Sequence, residues 1–115
     1  MDDEYGRTQK VVQKTTITSS TSETVIVTAL ANYYQDLYGL ILANTSGTVC
    51  SVSIRSKVNG TVRLVFSVPA GETRGFMLPP AGGHNQPNHS ESWTATCSAS
   101  VASIEITAFA LKNSI

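Results

Sequence analysis

His84 and His89 fall in one short segment, with Glu91 close behind them. Two imidazoles and a carboxylate are the donors of a zinc site, which takes three or four protein ligands. The spacing typical of zinc recurs nowhere in the chain, and the same segment carries Pro79-Pro80, Gly82-Gly83 and Pro87. That composition reads as a solvated loop, and no metal is expected. Hydrolytic chemistry fares no better. A Ser/His/Asp arrangement needs an acid to orient the histidine, and aspartate occurs only at positions 2, 3 and 36. No Gly-x-Ser-x-Gly elbow is present. Glu105 is the one carboxylate set in an otherwise apolar run, and alternation turns it outward. General acid–base catalysis needs positioned titratable groups in a pocket, so the expectation is a non-enzymatic protein without cofactors.

Two other groups could meet a partner. Tyr33, Tyr34 and Tyr38 cluster, and exposed rings of this kind stack on sugars or on protein; the competing reading has them closing one end of the fold. Arg55, Lys57 and Arg63 bracket the centre of the chain. If Arg55 lies opposite Arg63 on an outer face, like charges meet and disfavour the pairing. Either a neighbouring acid compensates, or the patch awaits an acidic partner surface. Without interleaved aromatics it is a weak nucleic-acid signal. Tyr5 joins these candidates from within a polar stretch, Met1 to Lys10, that reads as an arm.

The elements that would position these residues are strands. Thr48 to Val68 organises the chain. Cys50, Val52 and Ile54 alternate with Ser51, Ser53 and Arg55, and Val62, Leu64 and Phe66 alternate with Arg63, Val65 and Ser67. Between them lies Val58-Asn59-Gly60. A two-residue turn would put Ile54 and Leu64 on opposite faces. A three-residue loop with Gly60 left-handed pairs Lys57 with Thr61 and keeps one inner face.

Six further strands are expected. A weak first one runs from Val11 to Thr18. Glu23 to Ala29 follows, with Val25, Val27 and Ala29 on one face. Leu30 to Asp36 reads as a connection, with one helical turn as an option, and Leu37 to Asn44 as a strand covered on both faces. Thr73 to Leu78 precedes the Pro79 to Glu91 loop. Ser92 to Ala99 turns Trp93, Ala95, Cys97 and Ala99 inward. Ser103 to Leu111 does the same with Ile104, Ile106, Ala108 and Ala110.

Eight short strands imply an all-β, two-sheet sandwich, jelly-roll-like. Its long folded hairpin would have its tip at Asn59-Gly60 and would pair the third strand with the sixth, the second with the seventh and the first with the eighth. An immunoglobulin-like sandwich is the alternative, weakened because Trp93 lies so close to Cys97. The expected organisation is a polar N-terminal arm with the weak first strand, 1–20, and a sandwich domain, 21–115. Cys50 and Cys97 both point inward on what would be neighbouring strands. Two reduced, buried thiols with a packing role are expected.

Composition supports this. The chain has 115 residues, formal net charge zero, and only 14% charged residues. That suffices for a core without metal or disulfide support and gives no global pull toward nucleic acid or membrane. No apolar run approaches the ~20 residues of a membrane span. Met1-Asp2-Asp3-Glu4 lacks the apolar core of a secretory signal, so synthesis in a cytoplasm is expected.

Leu37-Tyr38-Gly39-Leu40-Ile41-Leu42, Val49 to Ile54, the Pro69-Ala70-Gly71-Glu72-Thr73 turn, Gly75 to Pro80 and the Trp/Thr/Ala strand together resemble small β-sandwich virion proteins of tailed bacteriophages, of the capsid cement or decoration type. The resemblance covers roughly residues 37 to 111 and transfers no functional residue. It implies a homo-oligomer on the virion that contacts the major capsid protein or another virion protein and stabilises the shell. A carbohydrate- or receptor-binding module of a tail fibre or cell-surface protein is the alternative.

Overall fold

The computed structural model describes residues 9–18, 21–100 and 103–115. Tyr5 and most of the polar arm lie outside these. Eight strands follow in order: β1 (Lys10–Ile17), β2 (Thr24–Val27), β3 (Tyr33–Asn44), β4 (Cys50–Arg55), β5 (Val62–Val68), β6 (Thr73–Met77), β7 (Trp93–Cys97) and β8 (Ile104–Ser114). A single 3-10 turn, Pro80–Gly82, lies between β6 and β7. The strands form two antiparallel four-stranded sheets, β1-β8-β3-β6 and β2-β7-β4-β5. All four pairs of the folded hairpin are present: β4 with β5, β3 with β6, β2 with β7 and β1 with β8. The architecture is the jelly-roll sandwich expected from alternation. β1 pairs with β8 over its full length, from Lys10↔Leu111 to Ile17↔Ile104, so it is integral to the first sheet.

The core lies between the sheets. Leu37, Leu40 and Leu42 of β3, Ile104, Ile106, Ala108 and Ala110 of β8, Val52 and Ile54 of β4, and Trp93, Ala95 and Cys97 of β7 are all buried. Each large aliphatic side chain withdrawn from water in this way contributes about 1.5–3 kcal/mol. The Trp93 indole N–H would be an unpaired donor in such a core. It donates instead to the Gln35 carbonyl, at 2.6 Å. Phe66 of β5 stacks on Phe76 of β6 at 6.0 Å and closes one open side between the sheets.

Four local expectations are corrected. In β2 the register shifts between Val25 and Val27, so Ile26 and Val27 are both buried while Val25 is exposed. A bulge breaks simple alternation there. Tyr33 to Asp36 is strand rather than connection: the turn comes earlier, at Asn32, whose φ of 68° is tolerated by asparagine, and Tyr33 N–H donates to the Leu30 carbonyl. β3 is not covered on both faces, because Ile41 stands 40% exposed on its outer side. In the central hairpin, Ile54 pairs with Leu64 as expected, but the left-handed residue is Asn59, φ 59°.

Candidate functional site

The hairpin tip, the start of β3 and the loop after β6 meet at one end of the sandwich, and Gln86 ties them together. Its side-chain carbonyl accepts from Gln35 N–H at 2.7 Å. Its amide donates to the carbonyls of Ser56 and Glu91. Its own backbone N–H donates to Asp36 Oδ1. The side chain is buried with every polar atom paired. His84 adds a backbone exchange with Leu37, at 2.9 and 2.7 Å, beyond the point where β6 leaves β3. The segment read as a solvated loop is therefore stitched to both sheets by its backbone and one glutamine. Nothing marked Gln86 in the sequence, since a polar residue between Pro and Gly has no periodic context.

The basic residues are separated by this geometry. The register shift between Ile54 and Arg55 sets Arg55 opposite Val62, and Arg63 becomes the extra residue on its strand. The expected Arg55–Arg63 opposition does not occur. Arg55 Nε donates to the Gly60 carbonyl and Nη1 to Thr96 Oγ1, so its guanidinium holds the hairpin tip to β7. Glu23 completes the clamp, accepting from Asn59 N–H and from Thr94 Oγ1. Lys57 and Arg63 are exposed. Neither forms an ion pair among the described residues, where the bridges are Lys14–Glu105 and Arg74–Glu72. Arg55 is thus a structural residue, and Lys57 and Arg63 remain available at the surface.

The tyrosines do not form a shared shelf. Tyr33 lies under the Lys112 ammonium, 5.4 Å from its ring centroid, and Tyr34 meets the His89 ring edge-on at 5.6 Å. As neighbours on one strand they point to opposite faces. Tyr38 is buried and packs against Phe109 at 6.1 Å. A polar hollow of about 420 Å³ lies beside Tyr33, Lys112 and Asn113. The histidines stay apart in their contacts: His84 is edge-on to Phe76, and His89 Nδ1 shares a hydrogen bond with Ser90 Oγ. Among the described residues no three metal-binding side chains converge.

Cys50 and Cys97 are buried, free and adjacent. Val52 is the register partner of Cys97, so Cys50 sits one diagonal step away on the same inner face. Burial first, and then hydrogen bonding and charge at the neighbouring Cys50 thiol, push Cys97 up to about 12. A thiol so disposed is almost wholly protonated at neutral pH and a poor nucleophile. Native protein should therefore show two thiols that react slowly with a disulfide reagent at pH 8 and quickly once denatured. Cys97→Ala should cost on the order of 1 kcal/mol through lost burial. Fast native reaction of either thiol, or none after denaturation without reductant, would contradict this placement.

With the geometry in place, the class is a compact eight-stranded jelly-roll sandwich without a catalytic constellation among its described residues. No family model matches the chain, and a search of curated proteins finds no relative. Among solved structures, it is similar to a subunit of the disulfide-linked pili of Bacillus endospore appendages, at 17% identity and a TM-score of 0.53, over 100% of this chain and 96% of that one. That likeness shows a shared fold. A chain of infectious bursal disease virus, Gx strain, aligns over 94% of this chain and 37% of its own length, at 12% identity and a TM-score of 0.23.

Proposed function

We propose that this chain is a non-enzymatic structural subunit that assembles with copies of itself. The observation that carries the reading is what the strands leave in solvent. Val12, Ile41, Val62, Val65 and Met77 are exposed on strands, where a freely soluble domain would place polar residues. The end-to-end fold likeness to a subunit of an assembled pilus supports the same reading. The setting we propose is the virion of a tailed bacteriophage, as a capsid cement or decoration protein on the major capsid protein. This rests on the sequence resemblance from Leu37 to Leu111. Contacts that are individually weak gain strength when repeated by symmetry.

Assembly here would be non-covalent. Cys50 and Cys97 are the only cysteines, and each is 1% exposed inside the sandwich. Neither can bridge to another copy without opening the core. Lys57, Arg63 and the polar arm with Tyr5 are the proposed contacts to the virion. A carbohydrate-binding role is the second reading, favoured by the Tyr33–Lys112 hollow and disfavoured by the divergence of Tyr33 and Tyr34.

Co-sedimentation decides between them. The purified chain should pellet with phage shells, and Lys57→Glu with Arg63→Glu should weaken pelleting while leaving the melting temperature within a few degrees. Retention on glycans with no affinity for shells would reject the virion role.

A further inference from the structure

We propose that the outer face of the sheet β1-β8-β3-β6 is a two-fold self-docking surface, on which a second copy of the chain lies face to face with Val12 of each copy against Met77 of the other. The proposal rests on the assembly reading above and specifies one of its contacts.

The register places three rows across this face. The first is Val12–Phe109–Gly39–Met77, the second Lys14–Thr107–Ile41–Gly75 and the third Thr16–Glu105–Ala43–Thr73. Residues paired across a ladder share a face, so each row lies on one side of the sheet. Val12 is 61% exposed and Met77 55%. Phe109 is half-buried, and it and Met77 lean over Gly39: a Cβ there would come within 2.5 Å of Met77 Sδ and 3.1 Å of Phe109 Cδ2. The result is an apolar band across all four strands, widened by Ile41. The face is charge-poor. Lys14 and Glu105 are the only charged residues in the three rows, and they bind each other at 3.0 Å.

This pattern is what selects a second copy as the occupant. Beyond the mutually neutralising Lys14–Glu105 pair only Lys10, one row past Val12 on β1, adds an exposed charge to this face, too little to select a strongly charged partner. A two-fold axis lying between the sheets and parallel to the strands sets β1 of one copy over β6 of the other, and β8 over β3. Val12 then meets Met77 and Phe109 meets Gly39, where the glycine leaves room. Lys14 faces Gly75, Thr107 faces Ile41 and Glu105 faces Ala43. No like charges meet, and every apolar residue of the first row finds an apolar or bare position. Sheets stack about 10 Å apart in such packings. Four strands about 4.8 Å apart, over three rows, bury well under the ~800 Å² per partner of a stable pair. The dimer is accordingly weak, and it gains strength only when repeated in an assembly.

Sedimentation equilibrium of the full chain, from about 10 µM to about 1 mM, tests this. Wild type should pass from monomer to dimer within that range. V12E and M77E should each weaken dimerisation at least about tenfold, because a carboxylate is then desolvated against an apolar side chain. The double variant V12E/M77K should recover most of the loss. The two positions lie about 14 Å apart within one chain, three strand spacings, so the introduced charges pair only between copies. Melting curves would confirm that all variants are folded, as expected for exposed positions. Wild type that stays monomeric, single variants that dimerise like wild type, or a charge swap that restores nothing would each overturn the proposal. Single variants that dimerise like wild type while larger assemblies or shell binding persist would sink this contact and leave the assembly reading intact. A swap-rescued dimer without shell binding would do the reverse for the virion role.

Discussion

Gln86→Ala is expected to destabilise the fold by about 3–5 kcal/mol, a large effect for a loop residue. The side chain satisfies Gln35 N–H, the Ser56 carbonyl and the Glu91 carbonyl, all at one end of the core. A buried polar group left unpaired costs about 1–3 kcal/mol, and water entering the vacated space recovers part of that. Gln86→Glu should also be poorly tolerated, since a carboxylate offers no donor to the two carbonyls. Urea unfolding measures the loss. A midpoint within error of wild type for Gln86→Ala would mean that the loop holds without its anchor.

Gly75→Val should be the most damaging change on an exposed strand, at about 3 kcal/mol or more. Gly75 pairs with Ile41, and a Cβ at that position would overlap the Leu40 carbonyl oxygen of β3. The backbone cannot yield without breaking the β3–β6 ladder, so β6 should detach locally and expose Phe76. Hydrogen exchange would show fast amides in β6 and the facing part of β3, with β1–β8 pairing protected. Near-native exchange in β6 would show that the strand accommodates a side chain and that the close approach is not binding.

The sandwich was legible because its inner faces alternate without interruption where strands pair regularly. Trp93, Ala95 and Cys97 on β7, and Ile104, Ile106, Ala108 and Ala110 on β8, are inward as the spacing requires. The strand partners followed from placing one tight turn at the middle of the chain. Two of the failures fall at bulges, where one extra residue reverses the assignments that follow it on a strand. Between Val25 and Val27 this put Ile26 inside, and between Ile54 and Arg55 it separated Arg55 from Arg63. Glycine at 39 and 75 hid the outer band from a reading by hydrophobic alternation, because the band depends on what those positions lack. Gln86 and Glu23 were invisible for a different reason. Their partners, backbone groups for the Gln86 side chain and the Asn59 N–H and Thr94 hydroxyl for Glu23, are brought near by tertiary folding, and no local pattern encodes such a meeting. Of the candidate contact residues, Arg55 is used internally, Lys57 and Arg63 are free of ion pairs among the described residues, and Tyr5 lies outside them.

The central claim is that the chain associates with itself without covalent links. Sedimentation velocity of the full chain over a concentration series, with and without reductant, is its most direct test. The account predicts species larger than a monomer whose share rises with concentration and does not change when reductant is removed. A monomer at every concentration would contradict it, and so would association that vanishes on adding reductant.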